Sequence, residues 1–287
     1  MTSSRPLVPR QYIVSSALIA ILTVLATVVG LFVPGFYRDA PVLLPQVYGQ
    51  DLLTLIVAVP VFVVSLYYAT RGSLRGYITW LGVTSYLLYT YASYAFMTAF
   101  NELYLVYTTL LWLTLFTFVG GMVRLDARAL KRAFGDGPVR SYVAFHLLLV
   151  VLIGFVWLSE ILPAILAGTT PPSITEAGLP TSVIYSFDLG VILPAFALTA
   201  YLLWRRRPWG YAFTAVLLVK VATLGGAVLA MAWFMVQDGQ PVPFPQVIIF
   251  GSLTVLSVLL MGRLLLAIDG SQTTGRPIAV GETSRDR

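Results

Sequence analysis

Eight apolar runs of about twenty residues or more, separated by short polar turns, set the rhythm of this chain. They cover roughly 11–34, 51–70, 77–99, 103–123, 141–167, 184–204, 211–235 and 246–268. A run of ~20 residues crosses a ~30 Å hydrocarbon layer as an α-helix. None shows the period-two alternation of a barrel strand, so the pattern predicts helices. The fold class expected is an all-α integral membrane protein with eight transmembrane helices. The third run is the most polar: Tyr86, Thr90, Ser93 and Asn101 fall close to one helical stripe, with Met97 between them. Such a stripe either hydrogen-bonds neighbouring helices or walls a polar cavity.

The pattern also repeats. Pro60, Phe62, Tyr67, Arg71, Gly76 and Tyr77 recur 134 residues later as Pro194, Phe196, Tyr201, Arg205, Gly210 and Tyr211, six identities in an ungapped window of eighteen. Arg10-x-Tyr12 before the first run matches Arg140-x-Tyr142 before the fifth, and Asp51 aligns with Asp188 across a three-residue gap. Four spans return a chain to its starting side, so the copies are expected to be parallel. The expected organisation is a first four-helix repeat in 1–123, a basic connector in 124–140, a second four-helix repeat in 141–268 and a polar tail in 269–287. Arg128, Lys131 and Arg132 suit a short surface helix in the connector.

Charge orients this bundle. Of the 18 Lys and Arg residues, 16 fall in the N-terminus, 71–76, 124–140, 205–210 and the stretch from Arg263 onward. Positive residues stay on the cytoplasmic side, which places both termini there, in a multi-pass protein of the cell membrane. Basic turns beside spans are the signature of topology and anionic headgroups, so the net charge of +6 points to the bilayer as partner and not to nucleic acid. Composition agrees: 58% of the 287 residues are hydrophobic and 10% charged, against about 25% charged in a soluble domain. With no cysteine and the single histidine His146, there is no disulfide framework, thiol chemistry, bis-His haem site or histidine-rich metal centre to expect. Neither a cofactor nor a metal is implied. Phosphate-loop, zinc-protease and nucleophile-elbow motifs are missing.

Polar groups within spans are expensive, so each needs a reason. Asp51 and Asp188 fall at the outer ends of two repeat-related runs, where they either cap helices or face each other as a cation- or proton-handling pair. Pro60 and Pro194 lie mid-span and free the carbonyls of Ile56 and Gly190; they either kink the helices for packing alone or open them to line a cavity. Lys220 sits about ten residues into the seventh run, opposite Tyr86 in the repeat. It either snorkels or needs an anionic partner. Glu102 and Glu160 lie toward the outer face with both aspartates, which suggests an outward vestibule with an acidic rim. The residues expected to bind a solute or ion are Asp51, Asp188, Lys220, Glu102, Glu160, Tyr86 and Asn101. The reading is a secondary transporter for a small solute. The alternatives are a membrane-embedded enzyme on a lipid or isoprenoid, with outer carboxylates as acid and base, and a non-catalytic scaffold.

Overall fold

The computed structural model describes residues 7–135, 137–242 and 244–268. The polar tail proposed for 269–287 lies outside the described residues. Ten helices follow in order: α1 (Arg10–Phe32), α2 (Pro41–Thr70), α3 (Leu74–Met97), α4 (Tyr104–Arg124), α5 (Ala127–Phe134), α6 (Arg140–Ala167), α7 (Pro172–Glu176), α8 (Val183–Trp204), α9 (Pro208–Gln237) and α10 (Phe244–Ala267). The described residues contain no strand. Seven of these helices are long and apolar enough to cross a membrane. This is the build of a helical membrane protein. The 24-residue α3 matches them in length but not in hydropathy, because it carries the stripe of hydroxyls and tyrosines.

Local chemistry sets several helix starts. Ser73 opens α3 by accepting a hydrogen bond from the Gly76 N–H at 3.1 Å. Asp126 opens α5 by accepting from Arg128 and Ala129, both at 2.9 Å. The connector therefore contains the short helix expected of it, and α5 lays Phe134 against Tyr142 and Tyr211. One boundary differs from expectation. The second helix starts at Pro41, not near 51, so Asp51 lies inside the helix rather than at its opening. Residues 41–50 carry Pro41, Pro45 and Gly49, which mask the segment in hydropathy. They are helical because they pack on α9: Tyr48 meets Phe234, and Gly49 lies directly on the backbone of Met231.

The centre of the bundle is α3 against α9. Helix α3 also packs on α2 and α4, and α9 on α2, α8 and α10. Trp80 donates to Ser16 Oγ at 3.1 Å and Tyr77 to the Gly121 carbonyl at 2.8 Å, tying α3 to α1 and α4. Ser257 donates to the Leu218 carbonyl at 2.7 Å, tying α10 to α9. With hydrocarbon outside, such bonds and close packing hold helices together in place of a hydrophobic drive. Gly225 and Gly226 serve this directly, meeting Thr254 of α10 and Leu53 of α2.

The two stretches that share a sequence pattern also share local geometry. Thr54–Ala58 and Asp188–Ile192 are both π-helical, 134 residues apart, and each is followed two residues on by a proline. The widened turn accommodates a residue that cannot donate to the ladder. Pro60, Pro194, Ile56 and Gly190 all face outward, so neither prolines nor freed carbonyls line an interior space. Phe62 and Phe196 are fully buried, and Gly76 and Gly210 let the next helix touch the backbone of the last. The turns close alike as well: Gly72 and Arg206 donate to the carbonyls of Ala69 and Leu203, and Ser73 and Arg207 to those of Tyr68 and Leu202. Gly72 has φ +87° and Arg206 φ +50°, the one non-glycine in the left-handed region among the described residues. A side chain there costs about 1 kcal/mol.

Candidate functional site

The expected site residues separate into two interior clusters, one on each side of α3, and a set of surface groups. Asp51, 1% exposed, occupies the first cluster. Tyr37 donates to its Oδ2 and Tyr94 to its Oδ1 at 2.9 Å. Burial, with Asp51 alongside, pushes the Tyr37 phenol far above its ordinary value, so it remains a donor. Gly30 of α1 lies directly on the carboxylate, where a methyl group would collide with it. Its neighbour in the chain, Gln50, donates to Tyr86 at 3.0 Å and to Thr90 at 2.6 Å. Thr54 donates to the Gln50 carbonyl and shares a 2.7 Å bond with Tyr86, which closes a ring of neutral hydrogen bonds. The Gln50 amide nitrogen and the hydroxyls of Thr54, Tyr86 and Thr90 are all engaged in it.

Asp188 and Lys220 form the second cluster. Tyr89 donates to Asp188 Oδ1 and Trp157 to Oδ2, both at 2.9 Å. Lys220 is 2% exposed, and its Nζ stands 4.3 Å from the centre of the Tyr89 ring. Among the described residues the ammonium has neither a hydrogen bond nor an ion pair within 4.0 Å. Tyr89 thus serves both charges at once, with its face toward the lysine and its hydroxyl on the carboxylate. The lysine is held in the interior and does not snorkel. The aspartates share no partner: Tyr89 and Tyr94 sit five residues apart on α3, far round the helix from each other.

The other expected residues do quieter work. Asn101 closes the α3–α4 turn, accepting from the Leu103 N–H at 3.0 Å and donating to the Ala99 carbonyl. Glu160 accepts from Tyr185 at 2.6 Å and from the Ser173 N–H at 2.9 Å, so it fastens α7 to α6 and α8. Glu102 is exposed and pairs with Arg38. A hydrogen bond to its own backbone N–H, with Arg38 beside it, holds its carboxyl below the ordinary value. Its folded-state pKa is lowered, so its contribution is present above the carboxylate range and is lost as pH falls through it. Glu102→Gln is expected to move the melting temperature by no more than about 2 °C at neutral pH, less in high salt. Differential scanning fluorimetry in detergent checks this; a larger fall would mean the pair anchors the outer loops. His146 is buried and hydrogen-bonded to the Tyr142 carbonyl at 2.6 Å. Among the described residues no group of three His, Cys, Asp or Glu side chains could hold a metal.

Register connects the clusters. Asp188 and Thr54, 134 residues apart, each open a π-helical segment, whereas Asp51 lies in the regular α-helical turn before its own. The same offset pairs Lys220 with Tyr86. At that offset the hydrogen-bonded pair Thr54–Tyr86 of the first cluster matches Asp188 and Lys220 of the second: one pair is neutral and in contact, the other consists of two ionisable groups with no direct bond between them. Sequence reasoning missed Trp157 and the role of Tyr89. An ungapped offset of 134 would have flagged the Thr54/Asp188 contrast, but nothing in one sequence ties Trp157 to Asp188. Compared with protein-family models, curated proteins and solved structures, the chain matches none of them.

Proposed function

We propose that this polytopic membrane protein is a secondary carrier for a small solute, with Asp188 and Lys220 as its working pair. The observation that carries this reading is the contrast between equivalent positions: the fold accepts the neutral Thr54–Tyr86 pair on one side and keeps two buried, separated charges on the other. Intramembrane charges mark solute and proton paths because a neutral group would be cheaper there. An anionic group reaching Lys220 competes with Asp188 for the ammonium, and protonation of Asp188 removes that competition. Proton and solute are thereby linked. Asp51, saturated by two tyrosines, is assigned to holding α1, α2 and α3 together.

In the same reading α3 is the eighth span, the chain is two parallel four-helix repeats, and both termini are cytoplasmic. Three features support it: the shared π-helical segments, the central α3–α9 pair and the clustering of basic turns. Packing of α2 on α9 supplies a seam between the halves for a rocking motion. The test reconstitutes the protein in liposomes holding a pH-sensitive dye and presents a panel of small organic anions. Solute-driven proton movement is expected for the wild type, with at least a tenfold loss in Asp188→Asn/Lys220→Met. Full flux in that variant rejects the pair as the coupling site.

The scaffold reading is favoured by one observation. Two adjoining surface clefts, lined by Lys131 with Arg205–Arg207 and by Leu125 with Trp209, include neither Asp188 nor Lys220. Wild-type liposomes that move no protons with any solute, together with a stoichiometric partner on purification, would establish it.

A further inference from the structure

The turn between α8 and α9 breaks local rules that its counterpart obeys. Gly72 occupies the left-handed position in the first turn and Ser73 caps the helix that follows. At the equivalent positions stand Arg206, held at φ +50°, and Arg207, which makes no side-chain cap. Glycine and serine are the residues this backbone prefers. Two arginines have replaced them in a turn that closes with the same hydrogen bonds. Strain kept at such a turn points to a use for the side chains.

Two adjoining clefts surround the turn and share Arg207 and Pro208. One, of about 530 Å³, is polar and gathers Lys131, Arg205, Arg206 and Arg207. The other, of about 780 Å³, is mainly apolar, with Leu125, Leu202, Trp209 and Phe213 on its walls. Trp204, 67% exposed, stands at the rim of the first. Four cations beside an apolar slot, with two tryptophans at a helix boundary, match an amphiphile lying at the membrane interface. We infer that this double cleft is a binding site for an anionic phospholipid, its phosphate among Lys131 and the three arginines and an acyl chain along Trp209 and Phe213. Arginine forks suit a phosphate, and the left-handed backbone at 206 turns one of them toward it. The site is independent of Asp188 and Lys220, and its occupancy does not depend on the carrier reading.

The test adds dioleoyl phosphatidylglycerol to the full chain in neutral detergent and reads bound lipid by native mass spectrometry. Dioleoyl phosphatidylcholine and inorganic phosphate are the other arms. Phosphatidylglycerol is expected to be retained at least tenfold more than phosphatidylcholine, and millimolar phosphate should not displace it. Arg206→Gly/Arg207→Ser writes the residues of the first turn into the second. It is expected to melt at the same temperature or higher while losing at least tenfold of that preference; Arg206→Gly alone should show the same direction. A double variant that keeps the preference overturns the site. So does displacement by phosphate, which would make it a free-phosphate site, and so does equal retention of phosphatidylcholine, which would leave only the apolar slot.

Discussion

Asp188→Asn is expected to destabilise the protein by about 3 kcal/mol, and Lys220→Met by a similar amount. The double variant should return to within about 1 kcal/mol of the wild type. The single changes are costly because each strands a buried charge. Without its carboxylate, Lys220 keeps only the face of Tyr89, at 2% exposure. Without the lysine, Asp188 keeps two neutral donors, Tyr89 and Trp157, at a buried position. Neutralising both with residues of similar volume removes the charges and retains the packing. Under the proposed repeat the matching residues, Thr54 and Tyr86, make a hydrogen-bonded pair without a charge. Unfolding of the detergent-solubilised variants in a double-mutant cycle measures the coupling. Additive single effects would show that the carboxylate and the ammonium do not sense each other across Tyr89. The charges would then need separate explanations.

Gly49→Ala should cost about 2–3 kcal/mol, while Gly262→Ala gains up to about 1 kcal/mol. Both glycines lie inside long helices, where alanine is intrinsically preferred. They differ in what the new methyl group meets. At Gly262 there is nothing within 4 Å. At Gly49 the methyl would land on the backbone of α9, with Met231 Cα at 2.5 Å and the carbonyl carbon of Ala230 at 2.7 Å. Backbone cannot rotate away as a side chain can, so α2 and α9 must separate along their whole contact. That contact also holds Tyr48 on Phe234 and Gly226 against Leu53, so the loss spreads beyond one atom. Thermal unfolding of the two variants side by side is the measurement. If both gain stability, α2 and α9 are not packed as described, and the seam between the halves disappears with them.

Much of this architecture was legible in the chain. Seven of the eight runs begin within about four residues of a helix, because hydrophobic length against a bilayer is local information. The exception is the second, where Pro41, Pro45 and Gly49 hide a helical start that α9 stabilises. The shared pattern around Pro60 and Pro194 falls on two turns and two π-helical segments of like local geometry, since proline and glycine act on their own few residues. Depth was legible too: Lys220 had to lie far from both helix ends, and it does.

Rotation and partnership were not legible. Asp51 and Asp188 looked like one pair and belong to separate clusters, because the face each helix turns inward is set by contacts with segments far away in sequence. Trp157 finds Asp188 from 31 residues away and Tyr89 from 99. Hydropathy along a single span carries no record of either. Helix limits, the second start apart, were readable along the chain, because they are negotiated between neighbouring residues and their surroundings. Which side chains meet was set by the fold: Tyr37 and Tyr94 on Asp51, Tyr89 and Trp157 on Asp188, and the Tyr89 ring beside Lys220, because each contact joins helix faces whose rotation is fixed by packing between remote segments.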